Sequence, residues 1–407
     1  MISTSMASLD RIRHLQIQVA QAQTNISIAS TLTDAAAVQV WTTRRDALET
    51  LRLGVTSSPT TSPSSLPPLP EHLFVCLHGI YGKPSDSDHI ADALKHTFGA
   101  VALVLQSSIN THKTHSGVRQ MGTALATEVL DVLLRHRVDD TKTYRLSIVG
   151  HSLGGIIGRY ALVYMQDALR GLHVTPTSFV TLCTPHLGSR RPGGHLGHQL
   201  WKATVHGVMS ITLIYGQTGT DLLLQDDVDM PLLAVMSQPD SIFMTALAAF
   251  QHRTAIAMIQ GDHIVPYASA AIHPRVVETA PFERANSFGW RWTMSHSGFG
   301  DAFRRFLDVT YPCDSHEPSV DATDTIVPCV DERHEVDISP SILAGLCSVP
   351  WRRLNLFVTY GGLCQFYWLS FHTWPLGIQL PSTSRSREFI QHVLVPMLVQ
   401  DHAFDQS

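Results

Sequence analysis

The sequence predicts an α/β fold, a mostly parallel, doubly wound sheet that carries a helical insertion. Three observations predict it. From about residue 71 onward, apolar runs of strand length alternate with helical stretches, the pattern of strands joined by crossover helices. Leu73-Phe74-Val75-Cys76-Leu77 is apolar without alternation, as suits a parallel strand buried on both faces. A second run, Tyr144 to Val149, passes through Gly150-His151-Ser152-Leu153-Gly154 into a helical stretch from Ile156 to Leu169, with Ile157, Tyr160, Ala161 and Tyr164 on one face.

Residues 1–70 read as an N-terminal extension. Residues 1–53 suit helix or loosely ordered polar sequence. Residues 54–70 are rich in Pro, Ser and Thr and end Leu66-Pro67-Pro68-Leu69-Pro70, a composition that buries too little apolar area to fold alone and reads as a linker. The main domain is expected over 71–407. Its first strand runs into His78-Gly79-Ile80-Tyr81-Gly82, where glycines let the backbone turn N–H groups toward a ligand. A helix is expected over Asp88–Thr97, a strand over Ala100–Leu105 and a helix over Val118–Arg137, with Leu125, Val129, Val132, Leu133 and His136 on one stripe.

The strand, tight turn and helix around Ser152 form the setting of a G-x-S-x-G nucleophile elbow. Residues two before and two after the serine must be small, and Gly150 and Gly154 are. Ser152 is therefore the expected nucleophile. The helix that follows presents free N–H groups at its N-terminus. The backbone N–H groups of Ile80 and Leu153 are the expected oxyanion hole.

A strand at Ser178–Cys183 leads into Thr184-Pro185-His186-Leu187-Gly188 at the same sheet edge. Pro185 and His186 should line the site together with His78, Gly79 and His151, and His186 suits a loop-shaping role better than that of a base. About 190–250 breaks the alternation with apolar segments and reads as a helical lid or cap, whose apolar character suits an acyl chain as well as it suits plain core packing. Thr254–Ile259 is the next strand, and Asp262 just beyond it is the expected triad acid. Residues 308–340 form an acidic, solvated excursion without calcium-loop spacing. A strand from Pro350 to Tyr360, then Phe371-His372-Thr373 and a helix over Arg387–Val395, complete the order Ser, Asp, His. His372 is the expected base. His296, in Ser295-His296-Ser297-Gly298-Phe299 ahead of a helix-like run at 301–307, competes with it, and spacing alone does not separate the two.

Net charge is −5 over 407 residues, too mild to point to nucleic acid or to a strongly charged membrane surface. The six cysteines show neither C-x-x-C nor zinc-ligand spacing, so no metal is expected and a reducing compartment is. No apolar run is long enough to cross a membrane. The N-terminus lacks a secretory core, while Arg11 and Arg13 with few acids leave a mitochondrial address open.

Taken together, Leu77-His78-Gly79-Ile80-Tyr81-Gly82-Lys83-Pro84, Val149 to Gly155, Thr184 to Gly188, Gly216-Gln217-Thr218-Gly219 with Leu222-Leu223-Leu224, and Gly261-Asp262-His263-Ile264-Val265 resemble the lipase-like serine esterases of the α/β-hydrolase superfamily. The tail from Leu346 to His392 is similar to that family's closing strand, histidine and helix, which tips the base toward His372. The sequence departs from the family there, with Trp374-Pro375-Leu376 after the histidine. The resemblance implies an α/β-hydrolase fold and a cofactor-free hydrolase of acylglycerols or phospholipids. It implies a place in lipid metabolism, in the cytoplasm, with peripheral contact to a lipid droplet or membrane surface. An acyltransferase or thioesterase built on the same triad, or a non-catalytic lipid- or protein-binding relative, are the alternatives.

Overall fold

The computed structural model describes residues 2–57, 68–134, 136, 142–189, 212–259, 262, 264–273, 290–299, 339–360, 371–378 and 386–403. Seven strands form one sheet: β1 His72–Leu77, β2 Ala102–Gln106, β3 Tyr144–His151, β4 Val174–Leu182, β5 His252–Met258, β6 Trp290–Ser297 and β7 Arg352–Tyr360. Their order is β2-β1-β3-β4-β5-β7-β6. All neighbours run parallel except β6, which pairs antiparallel with β7 at the edge. This is the mostly parallel, doubly wound arrangement that the alternation predicts. The edge strand β6 is the addition: its backbone carries Trp290 to Ser297, a stretch that reads from sequence only as a histidine segment before a helix.

The sheet is the middle of three layers because its strands are apolar toward both sides. In β1, Leu73, Val75 and Leu77 join one core cluster while Phe74 and Cys76 join the other. On the first face lie α4 (Val118–Leu134) and α5 (Leu153–Ala161). Their Met121, Leu125, Val129, Ile156 and Tyr160 are buried in the same cluster. On the second face lie α3 (Asp88–Phe98), through Ile90 and Leu94, and the C-terminal helix from Ser386 to Ala403. That last helix buries Phe389, Ile390, Val393, Leu394, Met397 and Leu398. Its Asp401 accepts two hydrogen bonds of 2.7 Å from Arg352 on β7 and one of 2.7 Å from Ser178 on β4. A buried carboxylate with a bidentate guanidinium partner fixes the helix against the sheet's lower edge.

Residues 2–57 form two helices, α1 (Ile2–Thr31) and α2 (Ala35–Ser57), and both pack on the first face. Asp34 begins α2 by accepting from the Ala37 N–H at 3.0 Å and takes the Tyr160 hydroxyl of α5 at 2.8 Å. Trp41 is fully enclosed with its ring 5.6 Å from Tyr164. The helix expected over Ile156–Leu169 is in fact α5, a 3-10 turn at Leu162–Tyr164, and α6 (Gln166–Gly171). The break falls where the Gln21 amide of α1 donates to the Tyr164 carbonyl and Trp41 packs on the Tyr164 ring.

Of the expected lid, 190–211 lies outside the described residues. The remainder is helical at Thr212–Leu222, Leu232–Val235 and Ile242–Ala248. Asp221 in the first of these receives the Val118 N–H at 2.7 Å, so the insertion supplies an anionic cap to α4. The linker stretch 58–67, the helix-like run 301–307 and nearly all of the acidic excursion lie outside the described residues. Among the described residues no helix is long and apolar enough to cross a membrane.

Candidate active site

The chain enters the sheet at β1, steps outward to β2 and returns on the other side of β1 as β3. Crevices beyond the carboxyl ends of strands at such a reversal are where ligands bind in α/β sheets. The segments His78–Gly82 after β1 and Ser152 after β3 both lie there.

Ser152 has φ 52° and ψ −125°, a left-handed-side conformation that side chains other than glycine rarely take. The turn that imposes it is tight on every side. A Cβ on Gly150 would stand 2.7 Å from the Gly155 Cα, and one on Gly154 would stand 2.7 Å from the Leu77 carbonyl oxygen. A Cβ on Gly79 would stand 2.9 Å from the Ser152 Cβ, so the turn after β1 lies directly against the serine. Within that turn the Tyr81 N–H is taken by Thr114 Oγ1 and the Gly82 N–H by the Gly79 carbonyl, both at 3.0 Å. No acceptor for the Ile80 N–H occurs among the described residues. Leu153 opens α5, so its N–H has no intrahelical partner.

Asp262 and His372 meet, with Asp262 Oδ2 2.8 Å from His372 Nδ1. Asp262 follows β5, and its other oxygen accepts the N–H groups of Ile264 and Val265 at 2.9 Å each. Burial pushes its carboxyl upward, but the His372 charge and hydrogen bond and the two backbone donors outweigh burial and hold it below the usual carboxylate range. His372 lies beside His151, the residue before Ser152. Its carbonyl oxygen accepts from His151 Nε2 at 2.8 Å, and the two rings lie 4.9 Å apart. A carbonyl only accepts, so His151 carries its proton on Nε2. Ser152 Oγ has no hydrogen-bond partner among the described residues.

The other expected site residues divide. His78 sits at the turn, its Nδ1 2.9 Å from the Gly79 carbonyl. Pro185 and His186 are both buried. His186 Nε2 lies 2.9 Å from Thr181 Oγ1 and its ring packs edge-on to Trp351 at 5.3 Å, a loop-shaping position. His296 lies in β6 opposite Leu354. One residue escapes sequence reasoning altogether. Cys183, with φ 50° at the end of β4, brings its sulfur within 4.8 Å of a ligand atom on each of Asp262 and His372. Burial and then the Asp262 charge push that thiol well above its usual range. The available signal is its place, directly after a central strand at the edge that carries the site.

The enclosed histidines make folding acid-sensitive. His151 and His72, the latter bonded to Ser147 Oγ at 2.8 Å, are both lowered from 6.5 to about 3, first by burial and next by a neighbouring histidine. The unfolded chain binds a proton at each near pH 6.5, while the folded protein resists until about 3. Neither group affects stability above that upper value. Below it, each withdraws about 1.4 kcal/mol per pH unit. Urea denaturation should therefore give a clearly lower midpoint at pH 5 than at pH 7, and equal midpoints would contradict the buried, neutral assignment.

Comparison with known proteins bears on this geometry. A profile described as "Putative serine esterase (DUF676)" matches residues 68–273, about half of the chain. The chain belongs to this serine esterase family. The matched region includes Ser152 and Asp262 and stops before His372. Among curated relatives, "Putative lipase C4A8.10" of Schizosaccharomyces pombe is 26% identical, over 83% of this chain and 48% of its own length. "Putative lipase ROG1" of Saccharomyces cerevisiae is 31% identical, over 50% of this chain and 28% of its own length. The chain thus spans half or less of the length of these relatives. Among solved structures, the RedJ thioesterase of the prodiginine pathway in Streptomyces coelicolor is 15% identical with a TM-score of 0.30, over 52% of this chain and 81% of its own.

Proposed function

We propose that this family member hydrolyses carboxylic esters of lipids, acylglycerols or phospholipids, through Ser152, His372 and Asp262. The observation that carries the reading is the 2.8 Å contact of Asp262 with His372 Nδ1, on a residue whose backbone is tied by His151 to the nucleophile turn. His372 Nε2 takes the proton of the Ser152 hydroxyl as Oγ attacks the ester carbonyl. The oxyanion lies between the N–H groups of Ile80 and Leu153, donors that are each worth about 10²–10³ in rate in other enzymes. His372 then gives the proton to the leaving alcohol, and an acyl-enzyme remains. Water, activated by the same imidazole, releases the acid and restores Ser152. Asp262 keeps the imidazole in the Nδ1–H tautomer and offsets its positive charge. A lipid ester is supported by the relatives in the two yeasts, both named as lipases.

A fluorophosphonate probe tests this directly. It should label the protein once, on Ser152, and Ser152→Ala should abolish the labelling without altering the melting curve. Labelling of another serine, or none in a protein that is folded, sinks the reading. A turnover screen over acylglycerols and phospholipids then decides the substrate class.

A further inference from the structure

Cys183 has no part in the ester chemistry, yet it completes a cluster. It is fully enclosed at the end of β4, and its N–H is held by the Ile256 carbonyl of β5 at 2.8 Å. One donor atom from each of Cys183, Asp262 and His372 lies within 4.8 Å of the other two. A thiol sulfur, an imidazole nitrogen and a carboxylate oxygen are the three donor types that bind Zn²⁺, and a tetrahedral ion needs its ligand atoms at separations of this order. The sulfur also selects against Mg²⁺ and Ca²⁺, which take oxygen ligands.

We propose that Cys183, Asp262 and His372 form an inhibitory site for Zn²⁺ and similar thiophilic divalent cations. This rests on the reading of Asp262 and His372 as the catalytic acid and base. The ion takes the place of the proton between His372 Nδ1 and Asp262 Oδ2. A Zn–S bond forms as the Cys183 thiol releases its proton to solvent, and a Zn–N bond forms at Nδ1 as the imidazole moves its own proton to Nε2. One proton leaves per ion bound, and nothing is oxidised or reduced. With Nδ1 on the metal and Nε2 protonated, no lone pair remains to accept the Ser152 proton. The His372 and Asp262 side chains are only 7% and 3% exposed, so the ion enters as the imidazole swings outward and inhibition develops slowly.

The test uses the full chain incubated with Zn²⁺ and assayed on a short-chain p-nitrophenyl ester. Time-dependent loss of turnover is expected, reversed by EDTA and not reproduced by Mg²⁺. Cys183→Ser keeps a small polar side chain in place but removes the soft ligand. It should raise the zinc inhibition constant by at least about tenfold, the lower end of what losing even an outer-sphere partner costs a zinc site. Cys183→Ala gives the same comparison if the serine variant does not fold. Cd²⁺ supplies a readout independent of turnover, an ultraviolet thiolate-to-cadmium charge-transfer band that Cys183→Ser removes and His372→Ala weakens. Equal zinc sensitivity of wild type and Cys183→Ser overturns the proposal, as does a cadmium spectrum unchanged by that substitution. An active esterase indifferent to Zn²⁺ sinks the metal site alone. A Cys183-dependent cadmium band in a protein that turns over no ester keeps the site and sinks the catalytic reading.

Discussion

His372→Ala will lower kcat for ester hydrolysis by about 10⁶, the scale on which removing the base of a serine triad acts, while His296→Ala will leave kcat close to wild type. The two histidines are alike in sequence, each preceding a stretch that reads as helix. Their places in the fold differ. His296 lies within β6, held in antiparallel register against Leu354 of β7, and β7 separates that strand from β5. Asp262 follows β5, and the imidazole against it belongs to His372. A base must be oriented by its acid and still reach the nucleophile, and the His151 contact ties the His372 backbone to the residue before Ser152. Steady-state kinetics on a p-nitrophenyl ester, with melting curves for both variants, decides the matter. Collapse of kcat in folded His296→Ala, with His372→Ala still active, would remove His372 from the mechanism.

What the sequence makes legible here is what is local. The elbow can be read because its requirements are covalently close: an apolar strand, small residues two before and two after a serine, and a helix. The turn after β1 can be read for the same reason, and Gly79 shows why glycine stands there, since any Cβ would press on Ser152. The parallel sheet follows from runs such as Leu73–Leu77, apolar on both faces because both faces are covered. Relations between distant segments do not show in spacing. The thiol of Cys183 comes close to Asp262 only because β4 and β5 are neighbours in the sheet. Similarly, β6 joins only by pairing with β7, about 60 residues later in the chain, so its short-range pattern carries no trace of a partner. The two N-terminal helices look merely polar in sequence because the residues that dock them, Asp34 and Trp41, find Tyr160 and Tyr164 more than 100 residues away.

Asp262→Asn will lower kcat by about 10⁴ near neutral pH while the protein stays folded, as in a serine protease triad with the same exchange. The amide keeps an oxygen for the N–H groups of Ile264 and Val265, so the turn after β5 retains its two hydrogen bonds. What changes is the atom facing His372. Carboxylate Oδ2 only accepts and therefore holds the imidazole proton on Nδ1, leaving Nε2 free to take the proton of Ser152. An amide NH₂ in that place donates. It draws the Nδ1 lone pair toward itself and leaves the imidazole proton on Nε2, where it blocks base catalysis. The variant also removes the negative charge that offsets the imidazolium formed in the transition state. Two contributions, tautomer and charge, thus act in one direction, and a fall smaller than from His372→Ala is expected because the imidazole itself survives. Matched measurements of kcat, fluorophosphonate labelling rate and melting temperature separate these losses from unfolding. An Asp262→Asn enzyme within about tenfold of wild type, against the four decades that such an exchange costs a working triad, would mean that the acid does not orient the base.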